Sequence, residues 1–435
     1  MATNKMGLMS AILLGINMIL GSGIFLLPGK VSELTGASSL YVYVFVSLLI
    51  LSIAWCFAQC AALFDRNGGA YLYAKEAFGD FIGFEIGFMR WIAGAMAWAS
   101  LIVGFVTALS SIWPNALTEP LRGFLILIFL ALLILFNMGG TEKLKNINNV
   151  VTIAKVLPLL FFVLIGFFYT KGNFQAIDVS LSHLDSISFG NAAIVIFYAF
   201  GGFETLVIAA GEIKNPHRNL PIAVMAVISF CSFLYFLIQI IAMEILGPHL
   251  AESSIPLADA TEQMIGSAGR WIVTLSMIIS IGGVNLTASF ITPRSGAALA
   301  EDGLVPRWIA KNNKAGVPVV AIFLTASLTT IAALSGSFTQ LAVISVVSRF
   351  VQYGATCLAV FVLYYRNRTT LKMLKKISLV IIPSLSLIGL IWMLFQASSS
   401  QLYWGLGALL PGIPIYFFQK RKNNLTLATV SEMGD

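Results

Sequence analysis

The chain has 435 residues, 58% of them hydrophobic and only 10% charged. A soluble domain carries about 25% charged residues, so this composition excludes a soluble enzyme or binding module of the same length. The formal net charge is +7, and the placement of the basic residues decides whether that excess faces nucleic acid or a membrane.

Apolar runs of about 20 residues, the length a helix needs to cross a bilayer, recur along the whole chain. Twelve spans are read, near 8–28, 39–63, 81–112, 121–138, 149–169, 189–211, 220–246, 268–298, 317–334, 337–365, 378–396 and 401–418. One lysine, Lys5, precedes the first run and no small-residue cleavage site follows it. That run is therefore a retained span and not a signal peptide. With both termini inside, 18 of the 26 Lys and Arg residues fall on the inner side. Only Lys30, Arg122, Lys171 and Arg270 fall outside, and Arg90, Lys155, Arg294 and Arg349 lie within spans. The positive-inside rule then places the chain in the cell (inner) membrane with cytoplasmic termini, and the basic charge needs no nucleic-acid partner.

The first run is interrupted. Asn17, Gly21, Ser22 and Gly23 sit near its middle, within and beside Gly21-Ser22-Gly23-Ile24-Phe25. Either the helix packs there through glycine, or it unwinds and its freed backbone groups line a cavity. An unwound turn aims the positive end of a half-helix into that cavity, where it suits a carboxylate. The sixth span favours the second reading. Phe197-Tyr198-Ala199-Phe200-Gly201-Gly202-Phe203-Glu204 interrupts an apolar run in the corresponding place of the second half, and such pairs mark transporter binding sites.

The connections are short. Asn67-Gly68-Gly69-Ala70-Tyr71 is a turn, followed by an amphipathic piece from Leu72 to Phe78. Lys214 to Pro221 is a basic turn whose His217 is expected to be solvated, and Pro248 to Ile265 reads as a short surface helix on the outer side. Ala300 to Pro306 is a polar inner turn, and the polar tail after Lys422 reads as disordered. Cys56 and Cys60 share a helix face, but no histidine or further cysteine nearby completes a metal set. All four cysteines are assigned to packing and no metal is expected.

Five spans per half is an odd number, so a second half of five enters from the opposite side. Residues 1–170 (spans 1–5) and 188–366 (spans 6–10) then form two inverted repeats, with spans 11–12 at 377–419 and a cytoplasmic tail at 420–435.

Four motifs in order carry a family resemblance. Asn17 to Pro28 resembles the first-span signature of the amino acid–polyamine–organocation (APC) transporters. Gly68-Gly69-Ala70-Tyr71 with Gly79 and Gly83 resembles that family's loop between spans 2 and 3. Glu204 with Lys214-Asn215-Pro216 and Asn219-Leu220-Pro221 is similar to its sixth-span motif, and Ala300-Glu301-Asp302-Gly303 with Pro306 and Pro318 to its loop after span 8. The resemblance covers nearly the whole chain. It implies an all-α polytopic membrane protein with a LeuT-like 5+5 inverted repeat, broken helices 1 and 6, and two extra C-terminal helices. It also implies an amino acid or amine bound at the midplane, with its carboxylate on Ser22 and Gly23 and its ammonium near Phe197 and Tyr198. The expected substrate-binding set is Asn17, Gly21, Ser22, Gly23, Ile24, Phe197, Tyr198, Ala199 and Gly201. Length and layout resemble bacterial amino acid permeases and antiporters. The pocket departs from the arginine-exchanging members, which have a tryptophan where Tyr198 stands, a tyrosine near Arg90, an asparagine near Trp98 and a tryptophan near Thr287.

Charges inside spans are costly and are candidates for coupling or gating. Lys155 resembles the lysine that stands in for sodium in sodium-independent members. It either props open the first break or, being desolvated, exchanges a proton. Glu204 either caps the second half-helix or carries a proton. Arg90, Arg294 and Arg349 stay charged, so they anchor structure by pairing with Glu85, Glu204 or carbonyls, or they bind a substrate carboxylate. Glu85 and Glu244 sit near span ends and are expected to snorkel or pair. Phe25, Tyr198, Phe200 and Phe203 are candidate gates. No catalytic dyad, cofactor motif, nucleotide loop or channel filter is found. The sequence thus reads as a sodium-independent secondary active amino acid transporter working by alternating access, by exchange or with protons, with polyamine or cationic amino acid antiport and amino acid export as alternatives. A neutral amino acid is the expected substrate, and monomer and homodimer stay open.

Overall fold

A computed structural model describes residues 5–64, 68–138, 144–174, 185–208, 210, 213–313, 316–366 and 373–432. Among them the regular structure is helical, with two isolated bridges, Met6 to Ile213 and Asn312 to Pro318.

The first crossing is two half-helices, α1 (Leu8–Ile19) and α2 (Ser22–Thr35). Next come α3 (Ser39–Ala61), the short amphipathic α4 (Ala70–Phe78), α5 (Asp80–Leu109), α6 (Leu121–Met138) and α7 (Leu144–Tyr169). The sixth crossing is again split, into α8 (Ser186–Phe197) and α9 (Phe203–Ile208). Asp185 caps α8 by accepting the Ser188 N–H at 3.1 Å. Then follow α10 (Pro216–Leu246), α11 (Pro256–Ile265), α12 (Ser267–Glu301), α13 (Val319–Ser335), α14 (Phe338–Arg366), α15 (Met373–Gln396), α16 (Ser399–Leu406) and α17 (Leu409–Glu432). Eight helical stretches are each long and apolar enough to cross a membrane among the described residues. The interrupted crossings fall below that length because each half stops midway.

Span contacts repeat with an offset of five. Helix α3 packs on α10, its counterpart in the second half, and α5 packs on α12. The contact of α5 with α14 has its mirror in that of α12 with α7, and α1 against α10 mirrors α8 against α3. This is the LeuT-like arrangement that the two interrupted spans imply, with α15 to α17 packed outside it. Lipid contact is legible on α6, where only Ile126, Leu130, Leu133 and Asn137 are buried. That spacing is one helix face, while Phe124, Leu132 and Leu135 are exposed.

Four expectations change. The twelfth span is split near Gly407, where Pro411 has no N–H to continue the ladder. Helix α17 then continues to Glu432, where polarity predicts a disordered tail. Backbone hydrogen bonds can extend a helix beyond its last apolar residue. The Pro248 to Ile265 segment is helical as expected, but α11 buries Leu257, Ala260 and Met264 and packs on α10 and α12.

Glu85 departs most from expectation. It is only 7% exposed, and neither carboxylate oxygen has a hydrogen-bond partner among the described residues. It lies under Gly412 of α17, beside the Phe84–Tyr416 ring pair. Packed against α17, it is shut off from water despite its span-end position. A lone buried charge costs far more than a neutral isostere. Glu85→Gln therefore removes no partner, and purified protein is expected to melt at the parent's temperature or above; a clear drop would reveal a cation on this carboxylate.

Candidate functional site

The break in the first crossing frees the last carbonyls of α1, and three of them, those of Asn17, Ile19 and Leu20, meet side-chain donors. Lys155 Nζ of α7 donates to Asn17 O at 3.2 Å and is fully buried. Ser280 Oγ of α12 donates to Leu20 O at 3.2 Å. The Tyr235 hydroxyl of α10 lies 3.4 Å from Ile19 O and 3.0 Å from Ala199 O, so one donor ties the two breaks together. An unsatisfied buried carbonyl costs about 1–3 kcal/mol, so these partners hold the interruption open against refolding into one helix.

The two breaks touch backbone to backbone. A Cβ on Gly23 would stand 2.6 Å from Ala199 Cα. Gly202 has φ +119 and lies against Met18 O, so a side chain there is excluded by conformation and by space. Glu204 Oε2 accepts the Gly202 N–H at 2.9 Å and the Tyr353 hydroxyl at 3.2 Å. Of the two roles open to Glu204, capping is the one this geometry displays. Arg349 Nε faces Glu204 Oε1 at 3.6 Å.

A cavity of about 110 Å³ lies against both breaks. Gly21, Ser22, Gly23, Tyr198, Ala199 and Gly201 line it, together with Arg90, Glu204 and Arg349. Helix α2 begins at Ser22 without a side-chain cap, so its first N–H groups are available to an anion at the cavity wall. The cavity continues along α5 from Leu101 to Arg90 and along α12 from Val284 to Ser295. Both directions lead to the face that holds the start of α5 and the end of α12. The same face holds the Tyr71–Asp302 and Arg366–Glu76 contacts. On the other side the Tyr198 hydroxyl bonds Ser22 Oγ at 3.2 Å and Ser100 Oγ at 2.6 Å. Its ring stands edge-on to Phe338 at 5.7 Å. This hydroxyl trio and the ring pair close the cavity away from the α4 face.

Several expected residues stand off the cavity wall. Asn17 offers its carbonyl to Lys155 instead. Ile24 is fully buried in the core, and Phe197 packs on Phe350 and Tyr353. Successive helical residues point about 100° apart, so neighbours of a lining residue turn away from it. Among the candidate gates only Tyr198 reaches the cavity. Phe25 is buried, Phe200 packs on Tyr235, and Phe203 on Phe57 and Tyr353. Arg294 donates to Phe290 O at 2.8 Å and Asn137 Oδ1 at 3.2 Å, away from the cavity. Thr287 bonds its own helix at Gly283 O, whereas Trp98 lines the cavity with no partner for its indole N–H among the described residues. His217 is exposed, yet Nδ1 meets Ala62 O at 2.8 Å, so it is not merely solvated. Sequence reading missed Tyr235, Ser280, Ser100 and Phe338. Their one signal was a polar or aromatic residue inside or at the end of an apolar run.

Interrupted crossings packed against each other beside a cavity, inside inverted repeats, define the LeuT-like fold. The solved structure of MhsT in complex with L-phenylalanine matches this fold with a TM-score of 0.64, at 14% identity, over 90% of this chain and 98% of that one. The profile described as "Amino acid permease" matches residues 6–413, and the chain belongs to that family, within the APC superfamily. A transporter of Mycobacterium tuberculosis is 32% identical over 81% of this chain and 78% of its own length. The serine/threonine exchanger SteT of Bacillus subtilis is 26% identical over 96% of this chain and 97% of its own.

The apposition of the breaks is testable. Gly202→Ala is expected to cut substrate uptake about tenfold or more, as backbone strain of a few kcal/mol at a site requires. Gly354→Ala is the control, since its Cβ would meet only Leu387 at 4.0 Å; equal losses in the two variants would contradict the tight contact.

Proposed function

We propose that the protein is a sodium-independent amino acid transporter of the cell (inner) membrane, with cytoplasmic termini, and that it works by alternating access. One observation carries this reading: α2 presents uncapped N–H groups, and α1 ends in carbonyls, at the wall of one cavity. The substrate's α-carboxylate rests on the N–H groups of Ser22 and Gly23, where the half-helix dipole is positive. Its α-ammonium meets the negative end of α1 around Met18, with the Tyr198 and Ala199 backbone opposite. The two inverted repeats, 1–170 and 188–366, rock against each other around this point. The cavity's extension toward the basic face corresponds to an inward-facing state, with Tyr198, Ser22, Ser100 and Phe338 as the closed outer side. The serine/threonine exchanger and the phenylalanine complex lend support, because a backbone-built site binds the part common to all amino acids.

Lys155 supports sodium independence, since its ammonium already donates to a carbonyl of the first break. In this reading Lys155 acts as a fixed cation and transport is an exchange. The test uses purified protein in sodium-free liposomes loaded with mixed amino acids. Labelled uptake is expected to require internal amino acid, to ignore a proton gradient, and to fall about tenfold in Lys155→Ala as the Asn17 carbonyl is orphaned. Uptake into empty vesicles that follows an inward proton gradient, and vanishes in that variant, would assign proton symport instead. No uptake of any amino acid would remove the substrate class.

A further inference from the structure

The charge in the cavity does not balance, and the imbalance narrows the substrate class within the transporter reading, on which it rests. Two guanidinium groups, Arg90 of α5 and Arg349 of α14, line the cavity with a single carboxylate, Glu204. Arg349 sits directly on the second break: its guanidinium fills the space that a side chain at Gly201 would need. The acceptor sites of Glu204 are committed. Oε1 faces Arg349 Nε, and Oε2 takes the Gly202 N–H and the Tyr353 hydroxyl. Arg90 stands within the field of both Glu204 and Arg349, yet it has no ion pair or hydrogen bond among the described residues.

An arginine cannot shed its charge, and its planar fork of donors matches a carboxylate. A guanidinium held in a membrane cavity without a partner is costly, and an anion brought by the substrate offsets that cost. The uncapped start of α2 is a separate anion site, already matched to the α-carboxylate. We propose that Arg90 and Arg349 receive a second acidic group, so that the preferred substrates are amino acids with a carboxylate side chain. The α-carboxylate lies on Ser22 and Gly23, and the side chain points down the cavity toward the two guanidinium groups. A cationic amino acid or polyamine meets like charge there. A neutral amino acid leaves Arg90 unanswered. This replaces the neutral substrate expected from sequence, where the arginines read chiefly as structural anchors.

The test compares acids with their amides, which differ in charge and hardly in shape. Full-length protein in liposomes is supplied with labelled glutamate or aspartate, and separately with glutamine or asparagine. The parent is expected to favour the acids by about tenfold or more, the scale of a charge-assisted bidentate contact. Arg90→Gln is expected to bring the acid-to-amide ratio to one or below, and Arg90→Lys to retain part of it. A parent that favours the amides, or treats both alike, overturns the proposal while leaving the transporter reading intact, as does an Arg90→Gln protein with an unchanged ratio. If Arg90→Gln fails to fold, the parent's ratio and the Arg90→Lys protein decide. Uptake of no amino acid at all defeats both readings.

Discussion

A backbone group freed inside a membrane must find a partner, and most of this protein's site follows from that constraint. An intact helix satisfies its own N–H and C=O groups, so an interruption in hydrocarbon has to be paid for by the surrounding helices. Here Lys155, Ser280 and Tyr235 reach in from α7, α12 and α10 to the carbonyls at the end of α1. Glu204 performs the matching service for the N–H of Gly202 in the sixth crossing. The N–H groups at the start of α2 receive no side-chain cap. The proposed site for the part common to all amino acids is thus made of backbone, and side chains satisfy the freed carbonyls of Asn17, Ile19 and Leu20 beside it.

The same helices that satisfy the breaks also set the direction of the cavity. Ser22, Ser100 and Tyr198 join the first, third and sixth crossings through one hydroxyl cluster. Their junction is small and polar, so it can form and release at modest cost, about a kcal/mol per hydrogen bond. Beyond it, the cavity runs along α5 and α12 toward the α4 face. A junction that opens in this way is what the proposed alternating access asks of a packed bundle.

How much of this was legible before folding depends on the chemistry each residue carries. Glycine pairs and a serine inside an apolar run violate what a spanning helix prefers, so both interruptions showed in the sequence, and so did Lys155 and Glu204 as charges in hydrocarbon. The expected orientation rests on where lysine and arginine accumulate in the sequence. Tyr235, Ser280 and Ser100 gave little sign, because a hydroxyl in a span is unremarkable until a carbonyl from another helix lies beside it. Asn17, Ile24 and Phe197 were grouped with the site by adjacency in the chain, and helical geometry turned them away. Arg90 and Arg349 could be noticed but not assigned. Only the fold shows that Glu204 serves Arg349 and two further donors, and that Arg90 is left facing the cavity.

The most direct test of the central claim, that the two interruptions enclose the transported molecule, is substrate protection at the cavity wall. All four native cysteines are buried, so a Ser295→Cys protein offers one reactive thiol on α12, at the end of the cavity nearest the α4 face. A membrane-impermeant maleimide applied to inside-out vesicles should label it, and saturating amino acid substrate should slow that labelling several-fold by population shift and occlusion. Labelling at an unchanged rate with substrate present, in protein shown to transport it, would place the binding site elsewhere.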